Sequence, residues 1–181
     1  MNICVYCSAK DSIADEYKQI GRDLGKWIAE SGHTLVFGGA TGGLMTEVSQ
    51  TVFEAGGLVT GVVTKRILLS GRRSKWCTST IEVNDMNLRK QQMKLLADCF
   101  VCLPGSYGTL DEMFDAIAAG TVGEHHKPLF ILNYKGFYNH LKELAQMMKD
   151  EQFIPEEESY KPQYVDSLEQ LIQELQLLKT K

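Results

Sequence analysis

The hydrophobic positions of this chain fall into short continuous runs separated by stretches of helical period. The runs at Ile3 to Cys7, Thr34 to Phe37, Leu58 to Val63, Thr80 to Val83, Cys99 to Leu103 and Leu129 to Leu132 predict strands, being short and bounded by turn residues. Between them, apolar residues recur at three- and four-residue spacing over Ile13 to Glu30, Leu44 to Ala55, Leu88 to Ala97, Leu110 to Ala119 and Gly136 to Lys149, which predicts helices. Ser167 to Leu178 predicts a final amphipathic helix, joined through the polar, proline-containing stretch Pro155 to Pro162. Strands that are apolar throughout need cover on both faces. The alternation therefore predicts an α/β fold, Rossmann-like and doubly wound, with a mainly parallel sheet and helices on both faces. One α/β domain is expected over 1–181, with 155–181 as a C-terminal extension ending in a helix.

Ligands of such sheets sit at the carboxyl ends of the strands. Two glycine-rich turns fall there, FGGATGGLM from Phe37 and LPGSYGTLDE from Leu103, each running strand, loop, helix. Side by side they predict a crevice in which backbone N–H groups and helix N-termini hold an anion. Gly38 and Gly43 have P-loop spacing, but Leu44 and Met45 stand where that motif needs Lys and Ser or Thr. Ala40 occupies the middle glycine slot of the dinucleotide fingerprint, so that motif is also set aside.

Composition narrows the partners. The 181 residues, 44% of them hydrophobic, suffice for one domain with a sizeable core. A formal charge of −4 without a long basic run argues against a nucleic-acid partner, and no apolar run is long enough to suggest a membrane one. Met1 to Ser8 enters a strand pattern directly, unlike a signal peptide, and a cytoplasmic protein is expected. Two Cys-x-x-Cys pairs, Cys4/Cys7 and Cys99/Cys102, lie inside predicted strands. Residues i and i+3 of a strand point to opposite faces, so neither pair can close on one metal or bridge without strain. Buried free thiols are expected, with no metal site and no cofactor.

The second loop carries the chemistry. Thr109 and Glu112 spell T-x-x-E, which is open to two readings: a capping box with Thr109 as the cap, or a carboxylate at the mouth of the crevice. Arg89 shares a helix face with Met93 and Leu96, in a first turn where the helix dipole disfavours positive charge. A cation so placed implies a nearby anion. Lys90 points elsewhere, toward the rim.

LRKQQM at Leu88, followed by PGSYGTLDE at Pro104, resembles the paired signature of the LONELY GUY (LOG) proteins, cytokinin riboside 5'-monophosphate phosphoribohydrolases formerly described as lysine decarboxylases. The resemblance runs from YCSAK at Tyr6 through FGGATGGLM to HKPLFILN and to GFY, with Phe137 at its centre, most of the chain. It implies hydrolysis of the N-glycosidic bond of a purine nucleoside 5'-monophosphate, AMP or an N6-substituted AMP, to free base and ribose 5-phosphate. Arg89 and Glu112 would be the catalytic pair. The substrate-binding residues would be Ser8, Gly39, Gly42, Met86, Lys90, Gly105, Ser106, Tyr107, Gly108, Thr109 and Asp111. The resemblance also implies a homodimer through the helices around Leu88 to Leu96 and Leu110 to Ala119.

Several positions depart from the family pattern. Ser106 stands at the second glycine of the Pro-Gly-Gly turn, which predicts strain if that position needs positive φ. Ala40 replaces the third glycine of the first loop, Thr64 a proline, and Ala119 and Thr121 a tryptophan and a glutamine. SGRRSK at Ser70 to Lys75 is basic where relatives often carry an acid. A nucleotide-binding protein of the same fold without turnover, and a phosphoribosyl transferase, are the alternative functions. No lysine sits in a recognisable pyridoxal phosphate context, so a decarboxylase is not expected.

Overall fold

The computed structural model describes residues 1–178. Its strands are β1 (Asn2–Tyr6), β2 (Thr34–Phe37), β3 (Leu58–Thr64), β4 (Ser79–Val83), β5 (Cys99–Cys102), β6 (Leu129–Leu132) and β7 (Gln163–Val165). Its helices are α1 (Asp15–Glu30), α2 (Gly43–Glu54), α3 (Lys65–Leu69), α4 (Met86–Leu96), α5 (Tyr107–Thr121), α6 (Asn139–Asp150) and α7 (Leu168–Leu178). All seven strands form one sheet in the order β4-β3-β2-β1-β5-β6-β7, and every neighbouring pair is parallel.

Side chains alternate across this sheet as the period of two requires. Ile3, Val5, Leu35, Phe37, Val101 and Leu103 face one core with α1, α2 and α7. Cys4, Tyr6, Val36, Phe100 and Cys102 face the other with α4, α5 and α6. The Cys-x-x-Cys pairs are split accordingly, Cys7 and Cys99 on the first side, Cys4 and Cys102 on the second. All five cysteines are free thiols. Burial raises their pKa values, to about 12 for Cys99 and Cys102, so these thiols stay protonated and unreactive at neutral pH.

Two elements were not predicted. α3 is one short amphipathic turn with no buried residue, too brief for a helical period to register. β7 has three residues, of which only Val165 is buried, and it forms because β6 offers an edge to pair with. The stretch expected as a C-terminal extension thus contributes a strand to the sheet and a helix, α7, whose Leu171 and Leu175 are fully buried. Its last positions, 179–181, lie outside the described residues. Among the described residues no helix is long and apolar enough to cross a membrane.

Candidate active site

Chain direction across the sheet reverses between β1 and β5. The strands fan out from this point on either side, and the loops leaving β1 and β5 part to open a crevice at their carboxyl ends. From β5 the chain passes through Leu103, Pro104 and Gly105 into α5. Leu103 is anchored from both sides, its N–H donating to the Tyr6 carbonyl at 2.9 Å and its carbonyl accepting from the Tyr138 hydroxyl at 2.9 Å. A Cβ on Gly105 would lie 2.0 Å from Thr109 Oγ1, so glycine is what lets the loop fold down against the first turn of the helix.

Ser106, not Thr109, is the N-cap of α5, and Leu110 N–H donates to the Ser106 carbonyl at 3.0 Å. The helix starts three residues earlier than its apolar period suggested, because Tyr107 and Gly108 are exposed and leave no hydrophobic trace. This corrects the capping-box reading: Thr109 is already inside the helix and Glu112 turns toward the sheet. Among the described residues, no hydrogen bond within the chain takes the N–H groups of Ser106, Tyr107, Gly108 or Thr109. These are the orphan donors of a helix start, the ordinary place for an anion to bind. Ser106 has φ of −105°, so the strain expected from replacing glycine is absent.

Glu112 and Arg89 meet beside this turn. Arg89 Nη1 donates to Glu112 Oε1 at 2.7 Å, with the side chains 4% and 5% exposed. The anion implied by Arg89's position is Glu112 itself. Arg89 also donates through Nε to the Val62 carbonyl at 3.0 Å and through Nη2 to the Gly38 carbonyl at 2.9 Å. Its fork is thereby fixed in one plane by two strand ends and a carboxylate. A Cβ on Gly38 would lie 1.6 Å from Arg89 Nη2, so this glycine exists to admit the guanidinium. Gly38 and Val62 were not among the expected site residues. The glycine was visible in the first loop, but its partner was not. Burial raises the pKa of the Glu112 carboxyl, and Arg89 draws it partly back. A carboxyl held above its ordinary range beside a fixed cation is suited to proton transfer near neutral pH.

Lys90, expected at the rim, is 13% exposed and paired with carboxylates. It bonds Asp111 at 2.7 Å and lies 3.6 Å from Asp115, which also pairs with Lys94 at 2.6 Å. This network ties α4 to α5 and so holds Arg89 against Glu112. Met86 opens α4 and is half-exposed, while Tyr107 is almost fully exposed.

The first glycine loop does not offer the anion cradle predicted for it. Gly43 N–H donates to Asp11 Oδ1 at 2.8 Å, Gly42 N–H to Thr46 Oγ1 at 2.7 Å, and Met45 N–H to the Ser8 carbonyl at 3.2 Å. The positive end of α2 already holds a carboxylate from the chain. Gly39 (φ 64°) and Gly42 (φ 117°) serve instead to turn the chain tightly, with Ala9 O only 2.3 Å from where a Gly42 Cβ would stand. Ser8, buried at the end of β1, supports that turn.

A pocket of about 390 Å³ opens on the α1 side of the crevice, lined by Ser8, Lys10, Tyr17, Leu44, Gly105, Ser106 and Phe137 among others. A larger cavity of about 590 Å³ lies between α5, α6 and residues 153–164, away from both glycine loops, and contributes nothing to this chemistry. Among the described residues no group of three or more His, Cys, Asp or Glu side chains is placed to hold a metal ion.

An open helix start beside a buried carboxylate, at the carboxyl ends of a parallel sheet, defines an α/β protein with a candidate anion site. Residues 45–175 match the family described as "Possible lysine decarboxylase". The chain is 34% identical over 177 residues to cytokinin riboside 5'-monophosphate phosphoribohydrolase LOG5 of Arabidopsis thaliana, covering 98% of this chain and 78% of that protein. It is 36% identical over 152 residues to LOG1 of the same plant, covering 84% and 71%. The chain belongs to the LONELY GUY (LOG) family, whose named phosphoribohydrolases are N-glycosyl hydrolases, and it is an enzyme of that kind. In fold it is similar to the X-ray structure of TM1055, at a TM-score of 0.75 and 22% identity over 97% of this chain and 98% of that one. It is also similar to the molybdenum cofactor binding protein of Rippkaea orientalis, at 0.73 and 22% over 98% and 96%.

Proposed function

We propose that the protein hydrolyses the N-glycosidic bond of a purine nucleoside 5'-monophosphate, giving free base and ribose 5-phosphate. The observation that carries this reading is the buried Arg89–Glu112 pair next to the unsatisfied amides of Ser106 to Thr109. Those amides hold the 5'-phosphate on the positive end of α5, which fixes the ribose over Glu112 and converts binding energy into orientation. Cleavage of the C1'–N bond develops positive charge on the ribose. Glu112 offsets that charge and accepts a proton from the water that attacks C1', the bonding pair leaves with the base, and Glu112 then gives its proton to the base. Arg89 keeps the carboxylate oriented and favours its ionised form until it takes that proton. The relatives' names supply the nucleotide class, and AMP or an N6-substituted AMP such as a cytokinin riboside 5'-monophosphate is the substrate. In this reading the substrate-facing residues are Ser8, Met86, Lys90, Gly105, Ser106, Tyr107, Gly108, Thr109 and Asp111, while Gly39 and Gly42, expected with them, shape the neighbouring turn.

The enzyme works as a homodimer in this reading. Leu88 and Leu95 of α4 and Phe114 of α5 are exposed by 40%, 68% and 42%, an apolar face beside the site that a two-fold partner would cover. Light scattering at micromolar concentration tests this, and a strictly monomeric protein refutes it. For the reaction, the test is incubation with AMP and with isopentenyladenosine 5'-monophosphate, following base and ribose 5-phosphate by chromatography, with Glu112→Gln as control. Release from either substrate, lost in the control, is the expected result. Binding without release would leave a nucleotide-binding protein that does not turn over.

A further inference from the structure

Two aromatic rings and two backbone groups enclose the imidazole of His125, in the turn between α5 and β6. The ring centre lies 5.4 Å from that of Phe100 on β5 and 5.2 Å from that of Tyr160. Nε2 meets the Ala116 carbonyl of α5 at 2.9 Å, and Nδ1 meets the Lys127 N–H at 3.2 Å. A carbonyl only accepts and an amide only donates. The two partners therefore fix the tautomer, with the proton on Nε2 and the lone pair on Nδ1.

The same ring sits where the segment 153–164 is fastened to α5. The Tyr160 hydroxyl donates to the Lys127 carbonyl at 2.7 Å, and the Ser159 hydroxyl to the Thr121 carbonyl at 3.1 Å. A Cβ on Gly120 would lie 2.5 Å from Tyr160 Cγ, so the tyrosine ring rests directly on the end of α5. Tyr160 also forms part of the wall of the cavity of about 590 Å³.

A second proton on His125 has no place in this arrangement. On Nδ1 it would face the Lys127 N–H, donor against donor, and that hydrogen bond would be lost. The charged groups acting on the ring are Lys127 and His126 of its own turn and Lys94 of α4, cations or a potential cation. Asp115 of α5 is bonded to Lys94, and Glu158 of the segment 153–164 to Lys149, so both acids are already paired. Burial of the ring, and then these cations, hold the His125 pKa below its ordinary 6.5 despite the bond to Ala116.

We propose that His125 is an acid-sensitive latch: neutral, it fastens the segment around Tyr160 to α5, and protonated, it releases that segment and opens the cavity behind it. The latched chain resists the proton more than the released one does. The latch is therefore at full strength above pH 6.5 and weakens as pH falls below that value.

The test is amide hydrogen exchange of the wild-type protein and of His125→Gln at pH 7 and pH 5, corrected for intrinsic rates and read in peptides covering 116–127 and 153–164. Glutamine keeps a side-chain donor and acceptor but does not titrate. In the wild type, opening of both segments is expected to rise between pH 7 and pH 5 by about threefold to about 30-fold. The ceiling is set by the released imidazole, which at pH 5 is protonated in a ratio of about 30 to 1. In His125→Gln the rise is expected to vanish. The same rise in both proteins would assign it to other groups and overturn the proposal, as would the absence of any rise in the wild type. Proton NMR of the wild-type imidazoles gives a reading that does not depend on the variant folding. His125 is expected to titrate below 6.5, and titration at or above that value overturns the latch.

Discussion

Arg89→Ala is the most exacting test of the site, because it removes the partner of a buried charge. The substitution deletes the Nη1 bond to Glu112 at 2.7 Å and strips the Gly38 and Val62 carbonyls of their donor. Breaking a buried pair in this way costs about 3–5 kcal/mol. Part of that cost can be bounded from the chemistry. A stranded carboxylate can escape by binding a proton, and at pH 7, against an ordinary value of 4.5, doing so costs about 3.4 kcal/mol. The ionised Glu112 therefore contributes no more than that, the remainder coming from the two orphaned carbonyls and lost packing.

The sign of the pH dependence follows. Glu112 in the folded variant has its pKa raised above 4.5 by burial, with Arg89 no longer drawing it back. Below 4.5 both folded and unfolded chains hold the proton, and this part of the defect is absent. As pH rises the unfolded chain ionises first, so stability falls until pH passes the folded value. Urea melts of wild type and variant at pH 7 and pH 5 should show the ionisation part shrinking to at most about 0.8 kcal/mol at the lower pH. A defect of the same size at both pH values would refute the assignment of the loss to a buried carboxylate.

Glu112→Gln keeps the shape and a hydrogen bond to Arg89, so the protein should fold and bind nucleotide while base release falls by about 10²–10⁴-fold; chromatography of the products checks it. Ser106→Gly should leave turnover unchanged and alter stability by no more than about 1 kcal/mol, because φ at this residue is already ordinary. Gly42→Ala should destabilise by about 1–3 kcal/mol in thermal melts, since φ is 117° and the Ala9 carbonyl stands in the way. Asp11→Ala should cost about 0.5–2 kcal/mol by removing the carboxylate that holds the Gly43 N–H at the start of α2.

Much of this molecule is legible in the chain alone. Continuous apolar runs set the strands, because a parallel strand is buried on both faces, and the period of two placed Cys4 and Cys7 on opposite sides. The glycine turns marked the carboxyl edge of the sheet, and Arg89 declared its need for an anion through its place on an apolar helix face. What local pattern cannot carry is which groups meet. Glu112 lies 23 residues from Arg89, and the carbonyls that hold the guanidinium belong to Gly38 and Val62. Those strand ends become neighbours only through the order β3-β2-β1-β5, which depends on every crossover at once. The same holds for Asp11, whose carboxylate holds the Gly43 N–H at the start of α2, whereas the first amides of α5 have no partner among the described residues. Periodicity records whether a residue is buried, whereas pairing depends on contacts between segments far apart in the chain, and these exist only once the sheet has formed.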